Sequence, residues 1–103
     1  MEKGYERLGK VNSMPVLEIE RFMGRLQRGN RVQVPRLIRW RHKLEPGEVL
    51  YVEVYDREQY RRQKFYVRLS RDGRFTIPKV VAEASGAEAG SLLEITLFHL
   101  QDE

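Results

Sequence analysis

Apolar residues fall at every second position over several short stretches of this chain, the pattern of strands with one buried face. Phe65, Val67 and Leu69 alternate with Tyr66, Arg68 and Ser70, and Phe22, Gly24 and Leu26 with Met23, Arg25 and Gln27. Shorter inward pairs follow, Val32 with Val34 and Phe75 with Ile77, each after a dipeptide that favours positive φ and a sharp reversal: Gly29-Asn30 and Asp72-Gly73. Pro35 and Pro78 end these short strands and suit the first turn of a helix. Helices are expected over about 36–43 and 79–85, with Leu37, Ile38, Val80 and Val81 as their buried edges. Gly86 reads as a helix C-cap, and Lys43, its counterpart, is less suited to that role. Pro46-Gly47 and Ala89-Gly90 then turn the chain into third strands, with Leu50, Val52, Val54 and Leu93, Ile95, Leu97 facing inward.

The two sets are one pattern repeated. Shifted by 43 residues, the chain matches itself without a gap, FMGRLQRGNRVQVPRLI over FYVRLSRDGRFTIPKVV and LEPGEVLYVEVY over AEAGSLLEITLF. Phe22/Phe65, Arg25/Arg68, Leu26/Leu69, Arg28/Arg71, Arg31/Arg74, Pro35/Pro78, Glu45/Glu88, Gly47/Gly90 and Leu50/Leu93 are identical pairs. The unit is therefore strand-strand-helix-strand, twice. A unit of about 40 residues cannot bury its apolar face alone. The expectation is a mainly β domain in which both copies close into one six-stranded barrel with pseudo-two-fold symmetry, leaving no exposed edges. Repeat one spans 16–56, a polar linker 57–63, and repeat two 64–100, within a single domain over 16–103. Residues 1–15 lack a period and read as a flexible N-terminal arm, and VLEIERF (16–22) is a candidate extension of the first strand.

Charge adds direction. The chain of 103 residues carries a net +4, and 14 of its 19 bases are arginine. Residues 21–43 hold eight bases and no acid, whereas 79–103 are acidic. So long an acid-free run points to a polyanion-binding face. Without cysteine there is no disulfide framework or thiolate chemistry. Two histidines make no metal site, and no Ser-His-Asp set, inward carboxylate pair or P-loop lysine appears. A binding protein is expected rather than an enzyme, with no cofactor and no metal. No apolar run reaches a membrane span and the N-terminus lacks a signal-peptide stretch, so a cytoplasmic protein without membrane contact is expected.

The segments GNRVQVP…LIR…LEPGEVLYVEVY and DGRFTIP…VVAEASGAEAGSLLEITLF resemble the AbrB/SpoVT/MraZ type of module over residues 22–55 and 65–98. The resemblance implies a cradle-loop barrel of the swapped-hairpin kind. With two tandem copies in one chain, it implies a fold similar to MraZ-like and archaeal RIFT-barrel proteins. It also implies DNA binding by arginines near the turn and helix start. The Gly-Arg arginine falls on Arg31 and Arg74, and the helix arginine on Arg39, whose counterpart is Ala82 followed by Glu83.

Two clusters are the candidate nucleic-acid contacts. Arg25, Arg28 and Arg31, with Arg68, Arg71 and Arg74, flank the turns, where planar guanidinium forks suit phosphates. The bland alternative is a solvated strand face pairing with Glu53 and Glu94. In the helix, Arg36, Arg39, Arg41 and Lys43 surround Trp40, which either stacks on a base or packs into the protein. His42 reads as a surface histidine. The expected function is a DNA-binding transcription regulator or nucleoid-associated protein contacting phosphates through this arginine-rich face, with DNA ranked ahead of RNA. The alternatives are an RNA-binding protein or a protein-interaction adaptor, antitoxin-like or an assembly subunit. A monomeric barrel is the expected form and a homodimer its alternative.

Overall fold

A computed structural model describes residues 16–100, and the expected N-terminal arm over 1–15 lies outside them. The chain is mainly β. Its elements run β1 (Val16–Arg25), β2 (Arg31–Gln33), α1 (Arg36–Arg41), β3 (Val49–Asp56), β4 (Arg61–Arg68), β5 (Arg74–Thr76), α2 (Lys79–Ser85) and β6 (Leu92–Leu100). VLEIERF does lengthen the first strand. Both helices are capped by a proline, Pro35 and Pro78, at φ −55° and ψ 142°.

Backbone pairing divides into a four-stranded antiparallel sheet, order β1-β6-β3-β4, and a two-stranded ribbon, β2-β5. The 43-residue offset runs through both. On the ribbon Val32 pairs with Phe75, its own counterpart. In the large sheet Glu53 pairs with Thr96, again its own counterpart. Arg25 opposes Leu92 as Arg68 opposes Val49. The links between sheets repeat as well: Leu26 N–H donates to Ser91 and Leu69 N–H to Glu48, and Val34 N–H donates to Gly73 and Ile77 N–H to Asn30. A register slip between Glu18 and Glu20 is where β1 departs from the pattern.

The expected closed six-stranded ladder is corrected by this pairing. β2 and β5 have three residues each and form a continuous ladder only with one another. Pro35 and Pro78, which have no N–H to donate, follow closely and stop them. Across the turn between β1 and β2 the pairing is the single bridge Gln27–Arg31 and not a continuous ladder.

The apolar core lies between sheet and ribbon and draws on both halves: Leu50, Val52, Val54, Leu93, Ile95 and Leu97 from the sheet, Val32 and Phe75 from the ribbon. The helices meet it more narrowly than their composition suggests. Ile38 is buried and Val81 half-buried, but Leu37 is 63% exposed and Val80 72%. Helices of six and seven residues make fewer than two turns, so each has a single inward edge and the apolar residue before it points out.

The polar linker is also corrected. β3 continues to Asp56 and β4 starts at Arg61, making a hairpin. Buried Asp56 accepts the N–H groups of Glu58 at 2.9 Å and Gln59 at 3.3 Å, shaping its turn. Lys43 adopts the left-handed conformation of its counterpart, φ 55° against 75° at Gly86.

Candidate nucleic-acid interface

The ribbon places the two Gly-Arg arginines on one solvent face. Side chains alternate along each strand, so Val32 and Phe75 point inward while Arg31, Gln33, Arg74 and Thr76 lie on the other face. Arg31 opposes Thr76 and Arg74 opposes Gln33, so the arginines are diagonal neighbours, with backbones about 7–8 Å apart. Arg28 and Arg71 are exposed in the turns that flank the ribbon.

The matched arginines differ in what holds them. Arg74 Nε donates to Gln33 Oε1 at 3.1 Å and lies 3.4 Å from an Asp72 carboxylate oxygen. Asp72 is itself fixed by the Ser70 hydroxyl. That hydrogen bond first, then the positive charges of Arg74 and Arg31, hold its carboxyl below the usual aspartate range. Arg31 has no hydrogen bond or ion pair from its side chain among the described residues. The positions that would supply one are Gly29 and Thr76, where the other half has Asp72 and Gln33.

Arg25 and Arg68 have another task. Arg25 Nη1 donates to the Gly90 carbonyl at 2.7 Å, and Arg68 Nη1 to the Gly47 carbonyl at 2.9 Å. Each clamps the turn before a third strand of the opposite half. Glu53 and Glu94, considered as partners for the strand arginines, pair elsewhere, Glu53 with Arg62 and Glu94 with Arg21 at 3.4 Å.

The helix cluster is only partly free. Arg39 is half-buried; its Nε donates to the Val34 carbonyl at 3.1 Å and its guanidinium lies over Gly73. Arg41 Nη1 reaches both Glu20 carboxylate oxygens at 2.8 Å, and His42 Nε2 meets the same carboxylate at 2.8 Å. The hydrogen bonds to His42 and then Arg41 hold the Glu20 carboxyl below the usual glutamate range. Arg36, Lys43 and, in the second half, Lys79 are exposed and unpaired among the described residues. Trp40 points to solvent, 76% exposed.

The basic surface therefore comprises Arg28, Arg31, Arg74 and Arg71 along the ribbon, with Arg36 and Lys79 at the helix starts. Arg25, Arg68, Arg39 and Arg41 are engaged within the protein. Sequence reasoning gave Lys79 little weight, although it is the counterpart of Arg36 and basic like it.

The outer face of the four-stranded sheet is different in character. A depression of about 230 Å³ there is lined by Arg21, Arg62, Glu18, Glu53, Glu94, Tyr55, Thr96 and Phe98. Its charges are largely matched, and the Arg62 guanidinium lies 4.4 Å from the centre of the Tyr55 ring. Tyr51 packs beside it against Tyr66 and Phe98, with ring centres 4.9 and 5.9 Å away. Among the described residues no cluster of histidine and carboxylate groups could hold a metal ion, and no helix is long and apolar enough to cross a membrane.

No family model matches the chain, and no curated protein matches it. Among solved structures, the solution structure of PHS018 from Pyrococcus horikoshii superposes with a TM-score of 0.73 at 21% identity. The match covers 84% of this chain and 98% of that one. The two share a fold.

Proposed function

We propose that this protein binds DNA, as a transcription regulator or nucleoid-associated factor, by laying phosphates on the solvent face of the β2-β5 ribbon. The observation that carries the reading is the convergence of Arg31 and Arg74, from opposite halves of the chain, on one surface with Arg28 and Arg71 at its ends. Exposed guanidinium groups so placed, Arg28, Arg31 and Arg71 unpaired among the described residues and Arg74 held by Gln33 and Asp72, supply the sequence-independent part of DNA affinity. The repeated register fits the wider reading, a RIFT-like cradle-loop barrel of two AbrB-like repeats, with the ribbon as the part that meets the ligand. Because Arg39 and Arg41 are engaged internally, the face is more symmetric than the charge run over 21–43 suggests.

A salt titration of duplex binding tests this. Each lost phosphate contact flattens the log K against log salt slope by ~0.9. Replacing Arg31 and Arg36 together by alanine is expected to weaken binding and lower the slope by up to ~2. The absence of salt-dependent binding to DNA or RNA at low ionic strength would overturn the proposal in favour of an adaptor. That second reading draws on Leu37 and Val80, apolar and exposed at matched positions.

A further inference from the structure

We infer that Trp40 is a stacking platform for an unpaired nucleic-acid base, so that the favoured ligand has a single-stranded stretch, loop or end and not only continuous duplex. This rests on the nucleic-acid reading of the ribbon and specifies its ligand. Within α1 three of the other large side chains have different assignments. Ile38 is in the core, Arg39 holds the Val34 carbonyl, and Arg41 is tied to Glu20. What remains outward is Arg36, Leu37 and Trp40, spaced i, i+1 and i+4, so that Trp40 neighbours both of the others on one helix face. Trp40 is 76% exposed, an expensive placement for the largest apolar side chain unless something covers it.

The surroundings select the occupant. No acid occurs between residues 21 and 43, and Arg36 is unpaired among the described residues. α1 also borders the basic ribbon, because Arg39 rests on Gly73 in the turn beside Arg71. On this reading a phosphate lies on Arg36, one helical turn before Trp40, and the neighbouring base lies on the indole. Stacking on an aromatic face is available to any base, and it requires that base to be out of a duplex stack. The opposite end of the ribbon cannot do the same. There the counterparts of Leu37 and Trp40 are Val80 and Glu83, so base stacking belongs to one end of the ribbon.

Trp40 is the one tryptophan in the chain, and its emission reports the contact directly. Full-length protein is titrated with oligo-dT, oligo-U, a DNA duplex of equal length and inorganic polyphosphate, following both ligand anisotropy and indole fluorescence. Quenching with protection from acrylamide by the single strands, but not by duplex or polyphosphate, is the expected result; oligo-dT against oligo-U separates DNA from RNA as the source. Trp40→Ala should weaken single-strand binding about five- to a hundredfold, leave polyphosphate binding unchanged, and be largely rescued by Trp40→Phe. Single strands that bind without quenching, or bind Trp40→Ala equally well, overturn this inference while leaving the phosphate reading intact. No anisotropy change with any of the four overturns both.

Discussion

Arg31 and Arg74 occupy matched places on the two ribbon strands, yet one is free and the other is tethered. Gln33 and Asp72 hold Arg74, and the positions that could do this for Arg31 carry Thr76 and Gly29. A second contrast lies behind the ribbon. In the first half the large Arg39 covers Gly73; the counterparts of these two residues are the small, buried Ala82 and Asn30. Asn30 and Gly73 both have positive φ, 61° and 81°, a conformation glycine and asparagine enter most readily. The two pairs thus exchange bulk, a large helix residue with a bare turn and a small one with a side chain in the turn. The halves keep one backbone plan while their side chains diverge in compensating pairs, and the divergence decides which cations remain available.

The most demanding test of the shared plan is at the ribbon centre. Phe75 and Val32 are buried partners, and Phe75→Ala should cost about 3–5 kcal/mol in chemical denaturation. Val32→Ala should cost less because it removes fewer atoms. A loss below ~0.5 kcal/mol at Phe75 would mean that the ribbon does not cover the core.

The bulk exchange is tested by Gly73→Asn, which installs the first half's turn residue in the second. A Cβ at Gly73 would collide with the Arg39 guanidinium, so a loss of roughly 0.5–3 kcal/mol is expected. In an Arg39→Ala background most of it should vanish, leaving a coupling of roughly 0.5–3 kcal/mol in a double-mutant cycle. Additive effects would show that the two positions are independent.

For the cations, Arg31→Ala should flatten the duplex salt slope by ~0.9, and Arg74→Ala by less because its guanidinium is already satisfied. Arg25→Ala should lower stability and leave the slope unchanged, since its guanidinium serves the Gly90 carbonyl. Equal slope changes for Arg31 and Arg25 would erase the distinction between free and engaged arginines.

The smallest expected effect concerns Glu20, whose counterpart is Gln63. His42 and Arg41 lower the Glu20 pKa in the folded protein. Its contribution is therefore fully present above the ordinary glutamate range near pH 4 and is lost as pH falls through the lowered value. Glu20→Gln should reduce the fall in stability on acidification below about pH 4, as read from melting temperatures. Gln63→Glu, with no such partners at the matched positions Ala84 and Ser85, should not add a comparable fall.

Strand positions were legible because alternation and paired turn signals act within a few residues. The self-match then carried them from one half to the other. What failed to read through were matters decided at a distance. Leu37 and Val80 have the composition of a buried edge, but such short helices touch the core along one line. DREQYRRQK has no apolar residue besides Tyr60 and still enters a strand, since β4 is a sheet edge with one solvated face. The fates of Arg25 and Arg68 depend on carbonyls 65 and 21 residues away, and that of Arg41 on Glu20, 21 residues back. Charge counting sees the side chain and not its acceptor. The acid-free run over 21–43 therefore overstates how many of its cations are unpaired, since Arg25, Arg39 and Arg41 are hydrogen-bonded within the protein.

The pairing of Val32 with Phe75 and of Glu53 with Thr96 has a consequence for assembly. Where each such residue meets its own counterpart, the contact between the halves is isologous, the kind of surface that joins identical subunits. The β3-β4 turn over residues 57–60 links the halves covalently. Two chains opening at that turn could trade halves and recover the same ladders with no new contact. The choice between one closed chain and an interlocked pair would then rest with four turn residues and the concentration of the protein, not with its core.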